Sequence, residues 1–305
     1  MSGTSFLPDA QARSAARSSS TPVTLPGPTW PGVSSFVTTR QGGVSDAPFT
    51  SWNLGDHVGD DPARVAENRQ LLAALLPGAP LWLQQVHGTD VVDADAGAGA
   101  GVRAGATATV TATATATTTE DADARADAAA DASDSSIQPV PCGDAAITRT
   151  PGKVLAIMTA DCLPVVLAAC DGSVLGMAHA GWRGLAAGVL ESTVKAMRSQ
   201  HNEAPLRAWI GPAIGPTAFE VGEDVRTAFL ADDPDAATCF RPAAAVHKWL
   251  ADLPGLARRR LLRAGVQDVT LSGHCTVTDA EHFFSYRRDG QTGRFATLAW
   301  LNGSN

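Results

Sequence analysis

Two apolar, β-branched runs flank an Asp171-Gly172 pair, Pro164 to Cys170 ahead of it and Ser173 to Ala178 behind it. Asp-Gly suits the tightest hairpin turns because both central residues adopt positive φ. A two-residue turn also fixes register, since a slip of one residue would send every side chain to the opposite face. With that register His179 sits opposite Pro164, and Cys162 lies two residues from Pro164 on the same face. Cys162 and His179 are then diagonal neighbours, with Cα atoms ~7 to 8 Å apart. A thiolate and an imidazole at that separation reach a common ion at about 2.0 to 2.3 Å each. They also suit a thiol nucleophile and its base.

Of the 305 residues, 44% are hydrophobic and 18% charged, enough apolar material for a sizeable core. The longest apolar stretch, around Leu163 to Cys170, is cut by Asp171 and Gly172, far short of the roughly 20 residues a membrane span needs. Residues 1–28 mix Ser, Ala, Pro and Arg without the apolar block of a signal peptide and read as a flexible tail. Five cysteines at irregular spacings fit a reducing compartment, and hence the cytoplasm, better than a disulfide framework. Net charge is -8 and the arginines are scattered, which argues against nucleic acid and for a small-molecule partner. A monomer or small homo-oligomer is expected.

From Asp93 to about Ser136 the chain collapses into Ala, Gly, Thr and Asp. Such side chains bury too little area to offset about 1 to 2 kcal/mol of backbone entropy per residue. The segment 93–136 therefore reads as a disordered insertion in one domain spanning 29–303. Strands are expected at Ser35 to Thr39, Lys153 to Met158, on both sides of the hairpin turn, and at Arg207 to Gly211, Val269 to Ser272 and Phe295 to Leu301. Short extended segments, Leu81 to Val86 and Val91 to Val92, flank His87-Gly88. One helix begins at Asp60 or Asp61 with Pro62 in its first turn and buries Val65, Leu72, Leu75 and Leu76. Others are expected from Leu185, with Gly181 to Gly184 as a loop before it, over Glu223 to Leu230, and over Val246 to Ala264. The irregular alternation of strands and helices indicates an α+β fold of mixed β-sheets with flanking helices.

A third donor is available in His87 of LQQVHGTDVV, held between apolar stretches and followed by a glycine. Two imidazoles and one thiolate form a borderline-soft set that suits zinc and leaves a fourth position open. Against this, a cysteine in a strand is commonly a core residue and a histidine beside glycine a turn residue; spacing leaves both open. For a small anion the candidates are Arg183 in the Gly-rich turn, Arg287, Arg288 and Arg294 around Asp289-Gly290, and Arg40 before Gln41-Gly42-Gly43, each of which also reads as a surface charge. His57, His201, His247, His274 and His282 carry no paired ligand signature, and Cys142, Cys170, Cys239 and Cys275 read as core or incidental thiols.

LQQVHGTDVV, TADCLPVVL, MAHAGWRGL, IGPAIGP and FFSYRRDGQTGR, in that order, resemble the YfiH-type laccase-domain family (DUF152), also called purine nucleoside phosphorylase or polyphenol oxidase. The resemblance runs from about Val33 to Leu301 and excludes the tail and the insertion. It implies a single α+β domain and a zinc ion on His87, Cys162 and His179. It also implies phosphorolysis of adenosine, inosine or methylthioadenosine, with adenosine deamination at the same centre; for a phosphorylase, Arg40, Arg183 and Arg288 among the arginines above are the ones expected to hold phosphate. Two alternatives stand beside it. One is copper-dependent polyphenol oxidation, against which seven histidines fall short of the roughly ten a multicopper cluster takes. The other is a cysteine amide hydrolase with Cys162 as nucleophile and His179 as base, which the family's suggested role in trimming wrongly built peptidoglycan precursors would suit.

Overall fold

Residues 154–159 form a strand whose side chains alternate between two cores: Leu155 and Ile157 join one cluster, Val154, Ala156 and Met158 another. Apolar from Val154 to Met158, the strand is buried on both faces, and it is the middle of a layered fold. The computed structural model describes residues 21–96, 101–102, 140–199 and 203–303.

In chain order the strands are β1 (Thr24–Pro26), β2 (Val33–Thr38), β3 (Pro80–Leu81), β4 (Val91–Asp93), β5 (Gly101–Val102), β6 (Ala145–Thr148), β7 (Val154–Thr159), β8 (Leu163–Ala169), β9 (Leu175–Ala180), β10 (Leu206–Ile210), β11 (Glu220–Gly222), β12 (Phe240–Pro242), β13 (Lys248–Ala251), β14 (Asp268–Leu271) and β15 (Phe295–Leu301). The helices are α1 (Pro62–Ala73), α2 (Trp182–Ala187), α3 (Val189–Met197), α4 (Glu223–Leu230), α5 (Leu253–Arg263) and α6 (Tyr286–Asp289). Three sheets result, ordered β1-β2-β15-β7-β3, β14-β10-β8-β9-β6-β4-β5 and β11-β13-β12, the first two mixed and the third antiparallel. The first two face each other across Val37, Leu155, Ile157, Val166, Met177, Phe283 and Phe295. Helix α1 covers the outer face of the first through Leu72, while α3 and α5 cover the outer face of the second through Leu190, Val194, Leu256 and Leu261. This is the single α+β domain of mixed sheets read from the sequence.

The hairpin register is the expected one: Pro164 pairs with His179 and Leu163 with Ala180. The Asp61 cap accepts from the Ala63 N–H at the start of α1, and α4 and β15 have the expected bounds.

Four expectations need correction. Helix α1 ends at Ala73, so its buried face is Val65, Asn68 and Leu72, and Leu75 beyond the end is exposed. The helix expected from Val246 begins only at Leu253, because Asp252 caps it by accepting from the Gly255 N–H, and the residues before it pair as β13. The segment Gly181 to Gly184 is no loop: Gly181 is the N-cap and α2 starts at Trp182, breaking at Gly188, where φ of 101° lets α3 set off in a new direction. Thr24–Pro26 pair with β2, so ordered chain begins inside the stretch read as tail.

Of the segment read as an insertion, 97–100 and 103–136 lie outside the described residues, as do 137–139 after it and 1–20 of the tail. Residues 93–96 are tied in by Asp95, which accepts from Thr148 Oγ1 and the Arg149 N–H, and Gly101–Val102 pair with β4 at the sheet edge. No described helix is long and apolar enough to cross a membrane.

At Gly188 a Cβ would meet only ordinary contacts, Glu191 Oε2 at 3.6 Å being the nearest. The cost of an L side chain there is therefore backbone strain alone. Gly188→Ala should lower unfolding free energy by about 1 to 2 kcal/mol in urea titrations, with unchanged m-value.

Candidate metal centre

The chain leaves the core at Gln84 and Gln85. Gln85 clasps the Met158 backbone, its Nε2 donating to Met158 O at 2.9 Å and its Oε1 accepting from Met158 N at 3.0 Å. The next residues turn sharply, and His87 adopts φ of 59°. That turn wraps around the carboxylate of Asp144, which precedes β6 and has no exposure. Oδ1 accepts from the His87 N–H at 2.9 Å, and Oδ2 from Val86 and Gly88 at 3.2 and 2.6 Å. Oδ1 also contacts His179 Nδ1 at 2.8 Å, and the backbone of Asp144 accepts the His179 N–H at 2.6 Å. Four donors thus fill the roughly four lone-pair sites of one carboxylate. With Nδ1 committed to Asp144, the other nitrogen of His179 is the one free to face Cys162.

Cys162 lies one residue outside β8, where Asp161 bends the backbone to φ of 98°. Its Sγ is 3.7 Å from His87 Nε2. The His87 and His179 rings meet edge to face, with centroids 4.8 Å apart. Among the described residues these three form the group of His, Cys, Asp and Glu side chains that could hold a metal, their donor atoms all within 4.8 Å of one another. Thiolate and imidazole donors at about 2.3 and 2.05 Å on a tetrahedral ion would stand about 3.6 Å apart, so the Cys162 to His87 separation fits. Gly181 closes one side, where a Cβ would fall 2.5 Å from His87 Cδ2 and 2.9 Å from Cys162 Sγ.

Burial pushes the Cys162 thiol up, but His179 and His87 beside it overcome this and hold it down, to about 6. Burial pushes the His179 imidazole down, and the adjacent Cys162 and Asp144 raise it in spite of this. The Asp144 carboxyl, which burial would raise, is held below its ordinary range chiefly by His179. Without metal the site therefore favours a thiolate beside an imidazolium.

The arginines separate. All five N–H groups of Arg288 are spent within the protein: two on the Thr276 and Val277 carbonyls, one on Phe283 O and two on Asp289. Arg40 donates to Thr50 O and Ala280 O and stacks on Phe284. Arg287 reaches Glu220 O, and Arg294 is buried against the Thr292 and Gly293 carbonyls. Arg183 is exposed in the first turn of α2, over Trp182, two residues from Gly181. The structure brings together His87, Cys162 and His179, and it makes Arg288 a loop strut. Sequence reasoning passed over Asp144 and Asp161; the available signal was a lone acidic residue abutting an apolar strand, which requires a buried partner.

The fold and this centre place the chain in a defined class: residues 34–302 match the family described as multi-copper polyphenol oxidoreductase laccase, to which the chain belongs. A Pseudomonas aeruginosa relative, 44% identical over 90% of this chain and 97% of its own length, is named purine nucleoside phosphorylase. Its Escherichia coli counterpart, 43% identical over 90% of this chain and 97% of its own length, is named purine nucleoside phosphorylase YfiH. Among solved structures, a DUF152 protein of Neisseria meningitidis is 40% identical with a TM-score of 0.72, covering 93% of this chain and all of that one.

Asp144→Asn keeps shape but puts an amide N–H where a donor already points. Metal affinity, measured by competition with a chromophoric chelator, should fall about 10- to 100-fold. Because the folded carboxyl titrates below its ordinary range, its stabilisation is fully present above about pH 3.9 and is lost as pH falls further. The wild-type Tm should accordingly drop more steeply than that of Asp144→Asn between about pH 4 and pH 2.5.

Proposed function

We propose that the chain is a zinc-dependent purine nucleoside phosphorylase, converting adenosine, inosine and methylthioadenosine with phosphate to free base and sugar 1-phosphate, with adenosine deamination at the same centre. The observation that carries this reading is the convergence of His87, Cys162 and His179 around Asp144. It is supported by relatives 43% and 44% identical that are named purine nucleoside phosphorylase.

Zinc held by these three residues would supply Lewis acidity toward phosphate or water. The protein's own part begins with Asp144, which fixes the His179 tautomer and the His87 turn at once. Burial of His179 and Asp144 keeps competing water from those hydrogen bonds. Arg183, exposed two residues from Gly181, is the arginine proposed to meet phosphate, while Arg40 is spent on Ala280 O and the Phe284 ring.

The family description favours a second reading, copper-dependent phenol oxidation. A blue-copper centre takes a weak axial ligand such as methionine. Here Met158 is buried with Trp52 and Leu72, and Met177 in the core between the sheets. The donor set without an axial sulfur fits zinc better.

Purified protein given inosine or adenosine with phosphate should release hypoxanthine or adenine, and phosphate-free adenosine should yield inosine. Chelation should abolish all three and zinc restore them, with His87→Ala and Cys162→Ala losing about 10²-fold or more. Absence of every product under all conditions would end this reading, and stoichiometric copper with an intense visible band would replace it. Arg183→Ala should raise KM for phosphate by about 10-fold with kcat less affected.

A further inference from the structure

Cys162 owes its position to its neighbour. Asp161 holds φ of 98°, a region that side-chain-bearing residues rarely enter and that costs about 1 to 3 kcal/mol unless the surroundings over-determine it. The surroundings do. Its carboxylate, almost wholly buried, accepts from Thr276 Oγ1 at 2.5 Å, Ser285 Oγ at 3.1 Å and the Arg287 N–H at 2.7 Å. Its carbonyl accepts from the Ile214 N–H at 2.9 Å, in the IGPAIGP segment. One residue thus ties together three parts of the chain far apart in sequence, and the next residue is Cys162.

The bend has a geometric consequence. Were β8 to continue straight, residue 162 would stay in the strand's register beside β9. The pairing stops at Leu163, and Cys162, between the strand and the anchored Asp161, has its Sγ 3.7 Å from His87 Nε2, from a different part of the fold. We infer that Asp161 is a positioning residue: its carboxylate, anchored by Thr276, Ser285 and Arg287, holds the strained backbone that presents Cys162 to His87. It links the 276–288 segment, with α6 and its arginines, to the thiolate. The inference rests on the metal-centre reading for its functional meaning, and its geometry is testable without any metal.

Two groups of variants separate carboxylate from backbone. Asp161→Gly accepts φ of 98° without strain but has no carboxylate, and Asp161→Ala lacks both advantages. Thr276→Val with Ser285→Ala leaves Asp161 in place and removes two of its donors. Asp161→Asn keeps an acceptor for Arg287 and tolerates positive φ.

If the carboxylate is the anchor, zinc affinity by chelator competition should fall about 10- to 100-fold in Gly, Ala and the double variant. The thiolate-to-cobalt charge-transfer band of the cobalt-loaded protein should weaken in all three, and Asn should recover part of both. A structure of metal-free Asp161→Gly should show the Cys162 Sγ to His87 Nε2 distance changed by about 1 Å or more. Full affinity and an unaltered cobalt band in Gly would overturn the inference, since backbone freedom would then suffice. So would an unchanged distance in the metal-free variant. If wild type binds neither zinc nor cobalt, the zinc reading falls while the metal-free distance still decides the role of Asp161.

Discussion

Asp144 carries its charge into a place with no exposure, and every lone-pair site on it is answered. Three successive backbone N–H groups and one imidazole nitrogen converge on two oxygens. The consequence runs in both directions. The donors make burial of the charge tolerable, and the charge makes an otherwise unfavourable turn at His87 stable. Remove the carboxylate and three backbone N–H groups lose their partner at once, together with the group that sets the His179 tautomer. Two of the three candidate ligands thus depend on one side chain.

The third ligand is held by a separate device on the opposite side. The β8–β9 pairing ends with Leu163 opposite Ala180, and Cys162 lies just beyond it, next to the strained Asp161. Gly181, at the matching end of β9, leaves room for both the His87 ring and the Cys162 sulfur, which a methyl group would displace. Strain at Asp161 and absence of a side chain at Gly181 are therefore two halves of one requirement: the donors must approach more closely than regular strand ends allow. Irregular backbone concentrated at the mouth of a rigid double sheet is where a fold spends stability on chemistry.

Much of this was legible in the sequence where the signal is local. Asp171-Gly172 between β-branched runs fixed the pairing of His179 with Pro164, and Asp60 or Asp61 before Pro62 marked the start of α1 to within one residue. Signals that depend on distant partners were not. Asp144 is an ordinary acidic residue until residue 87, 57 positions earlier, is folded onto it. Residues 246–264 carry apolar side chains at spacings that suit a helix throughout, yet β11 and β12 claim Lys248–Ala251, and Asp252 starts the helix late. Arg288 looked like an anion ligand because charge beside a glycine turn permits that. Its guanidinium is saturated by carbonyls whose direction only the folded loop decides. Tertiary competition for hydrogen bonds, which composition and periodicity do not encode, accounts for each of these differences.

The same donors answer to protons as well as to metal. Burial by itself would favour the neutral thiol and neutral imidazole; Cys162 and His179 instead stabilise each other as a charged pair, with Asp144 behind the imidazole. A thiolate ready before a metal arrives removes one cost of coordination, because no thiol proton need be lost. The imidazolium imposes the opposite cost, since a ligating nitrogen must give up its proton. Metal uptake and the proton on His179 therefore compete for one lone pair. The carboxylate that orients His179 tilts that competition too, favouring the proton when the site is empty and raising the basicity of the ligand once it is filled.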